Sequence, residues 1–150
     1  MTLIIAAENP LSTESLELIE GSEAALRELY TAEECFSLEP AELATDNVTF
    51  FVARKDGLPL GCIALSACDG YAEIKRLFVT PAARGSGAGI RLVEHLETAA
   101  AKIGLSLIRL ESGHKLAAAV ALYEKMGYTK RGPFGGYSAH PASLFMEKQL

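Results

Sequence analysis

The sequence lacks any apolar stretch that approaches the ~20 residues needed to cross a bilayer. Its first residues also lack the basic segment, followed by an apolar one, that is typical of a secretory leader. These two absences argue against a membrane-bound or secreted protein. We therefore expect a cytoplasmic protein with no membrane partner.

Groups of metal-binding side chains are also scarce. The three cysteines, Cys35, Cys62 and Cys68, are an odd number without the spacing of a zinc site. The three histidines are scattered, and each is predicted to be an ordinary surface residue. The sequence therefore predicts reduced thiols and no metal.

The chain has no excess of positive charge. Its 14 lysines and arginines are outnumbered by 19 aspartates and glutamates, which gives a formal net charge of −5. This balance argues against a nucleic-acid partner and mildly favours a cationic one. With 150 residues, 49% of them hydrophobic, the chain can bury about 70% of its unfolded surface. We expect a single domain over residues 1–150 that needs no metal or disulfide for stability.

The most informative segment runs from Phe78 to Ile90, where an apolar strand pattern gives way to a helical one. Gly85, Gly87 and Gly89 alternate just before and within the helix start. Glycines let a ligand approach the backbone closely, and the first turn of a helix offers unpaired N–H groups at the positive end of its dipole. The segment therefore predicts a site for an anion, most often a phosphate.

Two familiar phosphate-binding loops fit this segment poorly. A Walker A loop needs a lysine after the glycines, and none follows. The dinucleotide fingerprint gains some support from Glu111, which lies about twenty residues beyond the last glycine, where an acidic ribose partner would sit. However, the third glycine comes one position early, and Thr80 to Arg84 separate the strand from the first glycine. A dinucleotide oxidoreductase is therefore disfavoured.

The segment resembles the acetyl-coenzyme A loop of the GNAT acetyltransferases, Arg/Gln-x-x-Gly-x-Gly/Ala, preceded by Val-x-Pro. The resemblance covers nearly the whole chain, is most specific from about Ala72 to Tyr128, and is to a branch of small bacterial-type members. It implies that acetyl-CoA is the co-substrate. It also implies contacts with the cofactor from the backbone of Leu77, Phe78 and Val79 and from the loop residues Arg84, Gly85, Ser86, Gly87, Ala88, Gly89 and Ile90.

The predicted elements alternate strands and helices with one clear parallel crossover. Strands are predicted over residues 3–7, 48–53, 60–67, 71–79, 107–112, 128–130 and 143–148. Helices are predicted over 16–30 with a break at Gly21-Ser22, over 39–44, from 87 to 103, and over 116–126. The order is α+β, or mixed α/β. The resemblance implies the GNAT fold, a mixed and mostly antiparallel sheet of about six to seven strands with about four flanking helices.

The strand over 71–79 is irregular. Strict alternation would mix two charged and two apolar residues on one face, whereas the apolar positions run from Ile74 to Leu77. A β-bulge near Lys75 or Arg76 would explain this slip of one residue. The resemblance implies such a bulge, where the strand splays from its neighbour and binds the pantetheine arm and thioester. A solvent-facing charged edge strand is the alternative.

Acyl transfer to an amine needs a proton acceptor for the ammonium, N–H donors for the oxyanion and a proton for the departing thiolate. Residues 122–128 resemble the family segment Leu-Tyr-x-x-x-Gly-Phe/Tyr, which makes Tyr123 the expected acid; a purely core role is the alternative. Seven residues earlier, where the family often has Asn or Gln, this chain has Leu116. A polar cofactor contact is therefore missing or supplied elsewhere.

Two carboxylates are candidates for the base. Glu73 precedes the expected bulge and is preferred, while Glu111 ends the adjacent strand; a surface ion pair is the alternative for either. The loop that contains Phe134 and Tyr137 resembles one found in a small-molecule branch of the family. We expect it to form the acceptor pocket together with Tyr30.

The expected function is acetyl-CoA-dependent transfer of an acetyl group to a primary amine of a small molecule or peptide, directly within a ternary complex. The alternative is a CoA- or nucleotide-binding regulatory module without catalysis, which Leu116 leaves open. A homodimer is compatible with base rates for soluble proteins.

Overall fold

The computed structural model describes residues 2–31 and 40–150. Within them, seven strands form one sheet in the order β1-β2-β3-β4-β5-β7-β6. The strands are β1 (Ile4–Ala7), β2 (Val48–Lys55), β3 (Leu58–Ala67), β4 (Ala72–Val79), β5 (Leu107–Gly113), β6 (Thr129–Arg131) and β7 (Ser143–Gln149). The helices are α1 (Thr13–Leu29), α2 (Ala88–Lys102) and α3 (Ala117–Lys125), with short 3₁₀ helices at Pro40–Ala44 and Pro81–Ala83.

Neighbouring strands pair antiparallel except β4 and β5, which are parallel. The predicted α+β fold with a mixed, mostly antiparallel sheet is therefore confirmed. The described ranges contain three α-helices rather than about four, because Pro40–Ala44 is a 3₁₀ helix and α1 is continuous. No helix in those ranges is both long and apolar enough to span a bilayer. Cys62 and Cys68 are free thiols, and Cys35 and residue 39 lie outside the described residues.

The predicted break at Gly21-Ser22 is wrong, and the packing of α1 explains why. The Ser22 hydroxyl donates a hydrogen bond to the carbonyl of Ile19 at 2.8 Å, so it is satisfied inside the helix. A Cβ at Gly21 would lie 2.8 Å from two carbons of the Phe78 ring on β4. The glycine therefore serves close packing of α1 on the sheet rather than a turn.

The two faces of the sheet carry separate cores. Alternate residues of β2 point to opposite faces, with Phe51 and Ala53 in one core and Phe50 and Val52 in the other. The first core packs against α2 and α3, and the second against α1. A gap between strands of this sheet can therefore be lined by α1 on one face and by α2 or α3 on the other.

The predicted bulge in β4 is confirmed. Cys62 of β3 pairs with Phe78 and Ala64 pairs with Lys75, so one residue of β3 faces two of β4. Arg76, one of those two, adopts a left-handed conformation with φ +58°. As a result Ile74 and Leu77 both pack in the core next to α2, while Phe78 packs next to α1.

The two parallel strands separate at the bulge. β4 pairs with β5 only through Ala72, Glu73 and Ile74. Beyond Ile74, β4 continues along β3 to Val79, whereas β5 continues along β7 to Gly113. The sheet is therefore open at its centre, between the end of β4 and the end of β5.

Replacing Gly61 with alanine is expected to destabilise the fold by about 1–3 kcal/mol, the usual cost of overpacking. A Cβ at Gly61 would lie 2.6 Å from the backbone oxygen of Phe78 and 3.1 Å from Leu92 Cδ1, so β3 would have to move away from the bulged strand. Urea unfolding measures the change. Gly132→Ala is the matched control because no atom lies within 4 Å of its Cβ position. Equal stability of Gly61→Ala and wild type would contradict close strand packing at the bulge.

Candidate functional site

The gap between β4 and β5 opens into a cleft of about 200 Å³. On one side α1 contributes Ser22, Ala25, Leu26 and Tyr30, and on the other α3 and its preceding residue contribute Leu116, Ala119 and Tyr123. Because α1 and α3 lie on opposite faces of the sheet, the cleft passes through it. A donor and an acceptor could therefore enter from opposite faces and meet between the strands.

The bulged part of β4 forms one wall of this cleft. Lys75, Arg76, Leu77 and Phe78 line it, whereas Val79 does not. Beyond Ile74 these residues have no partner in β5, so the side of the strand that faces the cleft is released from the sheet ladder. Main-chain donors and acceptors on that side are available to a bound molecule.

The glycine loop leads from β4 into α2 and is shaped for an anion. Gly85 and Gly87 adopt left-handed conformations, with φ of +82° and +86°, and no atom lies within 4 Å of a Cβ built on either residue. The first backbone bond of α2 runs from the Arg91 N–H to the Gly87 carbonyl, so the N–H groups of Gly89 and Ile90 have no helical acceptor. The first turn carries no acidic side chain. The loop thus presents unpaired donors and a positive helix end to open space.

The remaining loop residues have different surroundings. The Ser86 hydroxyl donates to the Ala83 carbonyl and accepts a bond from the Ala88 N–H at 3.4 Å, so it stabilises the loop itself. Arg84 is exposed at the end of the 3₁₀ helix. Gly89 allows close packing, since a Cβ there would lie 3.3 Å from Leu122 Cδ1 of α3.

Glu73 lies buried in the cleft within a closed cluster of three side chains. Its Oε2 accepts hydrogen bonds from the Tyr137 hydroxyl at 2.5 Å and from Lys75 Nζ at 3.0 Å. Lys75 Nζ also donates to the Tyr137 oxygen at 3.1 Å. Burial and the Glu73 carboxylate raise the pKa of Tyr137, which keeps its hydroxyl protonated as a donor. The charge of Glu73 is thus compensated within the protein.

Glu111 differs from Glu73 because it lines the cleft without an ion pair in the described part of the chain. Burial is the main cause that raises the pKa of Glu111, and the charge of Glu73 adds to it. A hydrogen bond with Ser143 and the charge of Lys75 act in the opposite direction. Glu111 is therefore a stronger proton acceptor than an ordinary glutamate when it is ionised.

Tyr123 lines the cleft from the α3 side. Its side chain is buried, and its ring packs edge to face against Tyr128 with 5.5 Å between ring centroids. No hydrogen bond joins its hydroxyl to any described residue, whereas the Tyr128 hydroxyl donates to Glu97 Oε2 at 2.7 Å. Burial raises the pKa of Tyr123, so its hydroxyl stays protonated at neutral pH. Leu116 lies just before α3 and presents an apolar side chain to the same cleft.

The residues expected to form the acceptor pocket are placed differently from one another. Tyr30 lines the cleft, and its hydroxyl accepts a bond from the Lys115 N–H at 2.8 Å. Tyr137 also lines it, but Phe134 does not; the Phe134 ring packs behind Tyr137 with 5.2 Å between ring centroids. Phe134 therefore supports Tyr137 and has no direct contact with the cleft.

Some residues of the cleft were not identified from the sequence. Ser22, Ala25 and Leu26 lie on one helical face of α1, and their spacing alone carries no chemical signal. Lys75 follows Glu73 by two residues, which places both side chains on one face of a strand. The ion pair that the sequence offered as the alternative role of Glu73 is therefore present, although it is buried rather than at the surface.

Comparisons with known proteins agree with this geometry. Residues 15–128 match the model of the acetyltransferase (GNAT) family. The chain is 46% identical over 148 residues to an IAA acetyltransferase of Azospirillum brasilense, with 97% of each chain covered. Among solved structures, a provisionally named acyl-CoA N-acyltransferase of Klebsiella pneumoniae has a TM-score of 0.85 at 32% identity, with 99% of this chain and 98% of that chain covered.

A second solved structure, the PaiA N-acetyltransferase of Thermoplasma acidophilum in complex with coenzyme A, has the same fold. Its TM-score is 0.74 at 21% identity, and the alignment covers 100% of both chains. The family match spans the glycine loop, the bulged strand and Tyr123 alike. The chain therefore belongs to the GNAT family and is an N-acetyltransferase.

Proposed function

We propose that this protein transfers the acetyl group of acetyl-CoA directly to a primary amine of a small molecule or peptide within a ternary complex. One observation carries the proposal. Glu111, a half-buried carboxylate, has no ion pair among the described residues, and Tyr123, a buried phenol, has no hydrogen-bond partner among them; both line one cleft. They approach it from opposite faces of the sheet, as a base and an acid for a transfer through the gap would.

The glycine loop and β4 suit acetyl-CoA. The N–H groups of the loop from Gly85 to Ile90 would bind the pyrophosphate, and the unpaired edge of β4 at Leu77 and Phe78 would bind the pantetheine arm. Acetyl-CoA supplies an activated acetyl thioester. The apolar Leu116 side chain would contact the arm where other family members often offer an amide.

Each proton transfer can be assigned to a residue of this chain. Glu111 accepts a proton from the acceptor ammonium, which frees the nitrogen lone pair for attack on the thioester carbon. The unpaired N–H groups of the bulged strand stabilise the negative oxygen that develops. As the new C–N bond forms and the C–S bond breaks, the Tyr123 hydroxyl gives a proton to the sulfur, and the second proton lost by the nitrogen returns to the Tyr123 oxygen. Glu111 is preferred over Glu73 as the base because Glu73 already holds Lys75 and Tyr137.

The two described cysteines support direct transfer without an acyl-enzyme. Neither Cys62 nor Cys68 lines the cleft. The Cys62 thiol is fully buried and donates a hydrogen bond to the carbonyl of Arg76 at 3.3 Å. Burial raises the pKa of Cys62 to about 12, which disfavours the nucleophilic thiolate.

Replacing Gly87 with glutamate is expected to abolish binding of acetyl-CoA, because the side chain would occupy the open space before α2 and repel the pyrophosphate. Isothermal titration calorimetry measures the affinity. Gly87→Ala is the control, since it shares the strain of a side chain at φ +86° but adds neither bulk nor charge. Equal affinity of the glutamate variant and wild type would exclude the loop as the phosphate site.

A screen of primary amines that follows the release of free CoA thiol tests the reaction itself. The proposal predicts thiol release that depends on both the amine and the enzyme. Binding of acetyl-CoA without release for any amine would instead support a regulatory CoA-binding module. Preferential binding of a nicotinamide dinucleotide would contradict the proposed cofactor.

A further inference from the structure

The acceptor side of the cleft is the side next to α1. Most of the charged side chains there form ion pairs. Four ionisable side chains of β4 and β5 line the cleft: Glu73, Lys75, Arg76 and Glu111. Lys75 is paired with Glu73 at 3.0 Å. Arg76 is paired with Glu23 of α1, and its side chain is only 7% exposed. Both cations are therefore neutralised by carboxylates of the protein itself.

Arg76 is held with particular firmness. Its guanidinium Nη1 also lies 3.4 Å from the Ser22 hydroxyl, and its backbone is the left-handed residue of the bulge. A ligand carboxylate that bound either cation would compete with Glu23 or Glu73 for it, and Glu73 would lose its buried partner. Such a loss is strongly unfavourable, because a buried charge without its partner keeps the full cost of desolvation.

Glu111 is then the one charged group on this wall that forms no ion pair with a described residue, and Lys75, which is paired with Glu73, offsets its charge only in part. Residues 32–39, which lie outside the described ranges, include no lysine, arginine or histidine in the sequence. Among the described residues, one carboxylate without an ion pair suits one ligand cation.

The other described residues of the acceptor side are uncharged. Ala25, Leu26 and Ala142 offer apolar surface, and the aromatic rings of Tyr30 and Tyr137 complete the wall. The hydroxyls of both tyrosines are engaged, Tyr30 with the Lys115 N–H and Tyr137 with Glu73. The cleft has a volume of about 200 Å³, which suits a compact acceptor.

We infer that the acceptor is a primary amine with a single positive charge and a compact, uncharged, largely apolar body. Amino acids with a free carboxylate and diamines are poor acceptors. This inference rests on the proposed function, since it identifies the class of amine that the same cleft accepts. The ammonium of the acceptor binds at Glu111, and the body contacts α1, Tyr30 and Tyr137.

Three acceptors of equal chain length test the inference: n-hexylamine, 6-aminohexanoate and 1,6-diaminohexane. They share the reacting amine and differ only in a terminal methyl, carboxylate or ammonium. We expect kcat/KM, measured by CoA thiol release, to be at least about tenfold higher for n-hexylamine than for either of the others, because unpaired buried charge is strongly disfavoured. A preference for 6-aminohexanoate or for the diamine would overturn the inference while leaving the acetyltransferase function intact. Failure of all three, with acetyl-CoA bound and other primary amines acetylated, would overturn the inference alone, whereas failure of every primary amine tested would contradict the proposed function as well.

Glu23→Gln tests the role of Arg76 in this selectivity. Removing the described carboxylate partner leaves the positive charge of Arg76 less compensated, so kcat/KM for 6-aminohexanoate should rise by about tenfold relative to n-hexylamine. Glu17→Gln, which removes an exposed carboxylate from the same helix, should leave this ratio unchanged. Circular dichroism verifies that both variants fold. A folded Glu23→Gln protein with the wild-type ratio would overturn the role of Arg76, and if that variant does not fold, the three acceptors with the wild-type enzyme decide.

Discussion

Replacement of Tyr123 with phenylalanine is expected to lower kcat by a factor on the order of 10²–10⁴, the usual contribution of a positioned acid, with little change in the affinity for acetyl-CoA. The variant keeps the ring that packs against Tyr128 and loses only the hydroxyl. That hydroxyl has no hydrogen-bond partner among the described residues, so its removal should not destabilise the fold. Steady-state kinetics with a saturating amine measures the effect.

Tyr128→Phe provides the matched control. This variant also removes a hydroxyl from a buried tyrosine, but one that donates to Glu97 and does not line the cleft. It should lower the free energy of unfolding by about 1 kcal/mol and leave kcat nearly unchanged. A folded Tyr123→Phe enzyme with wild-type turnover would refute the assignment of Tyr123 as the acid, and an unfolded one would indicate a core role.

Glu111→Gln is expected to lower kcat/KM by a factor on the order of 10²–10⁴ and to remove the acidic limb of the pH–rate profile. The base must be ionised to accept a proton, so activity falls as the pH drops through its pKa. Because burial raises the pKa of Glu111, this limb should lie above the pH at which an ordinary glutamate titrates. The pH dependence of kcat/KM for wild type and variant checks both points.

The stability of Glu111→Gln separates catalysis from folding. A glutamate whose pKa is higher in the folded state binds its proton more tightly there, so the fold loses stability as the pH rises through that pKa. Glutamine carries no charge and avoids this loss. We therefore expect Glu111→Gln to be at least as stable as wild type at neutral pH, as thermal unfolding would show. A catalytic loss in this variant would then not result from unfolding.

Glu73→Gln distinguishes the two carboxylates. It weakens the bonds from Lys75 and Tyr137 and should mainly raise the KM for the amine, because the tyrosine and lysine then lose their common partner. If Glu73→Gln removes the acidic limb and Glu111→Gln does not, Glu73 is the base. If neither does, the amine arrives deprotonated or loses its proton to water, and the protein contributes mainly positioning.

Features that depend on a few adjacent residues could be predicted from the sequence. The turn into α2 requires left-handed backbone at positions 85 and 87, and the sequence has glycine at both. The bulge in β4 shows as a slip in the apolar pattern between Ile74 and Leu77, because the side-chain period of a strand is two. Together with the strand and helix order, these local signals were sufficient to indicate the family and its fold.

Features that depend on distant contacts were decided by the tertiary structure. Gly21 does not break α1, because the Phe78 ring of β4 occupies the space a side chain would need. The rings of Phe134 and Tyr137 pack on one another, so Tyr137 lies at the cleft and Phe134 lies behind it.

The partners of the two carboxylates in the cleft are the clearest example of a feature that depends on distant contacts. Glu73 and Glu111 look alike in the sequence, but Glu73 binds Lys75 and Tyr137, which is 64 residues away, whereas Glu111 has no ion pair among the described residues. The sequence by itself determined the fold and the glycine loop, because both are encoded in local conformation and periodicity. Only the tertiary structure decided which carboxylate has an ion pair among the described residues, because charge compensation depends on side chains that folding brings together.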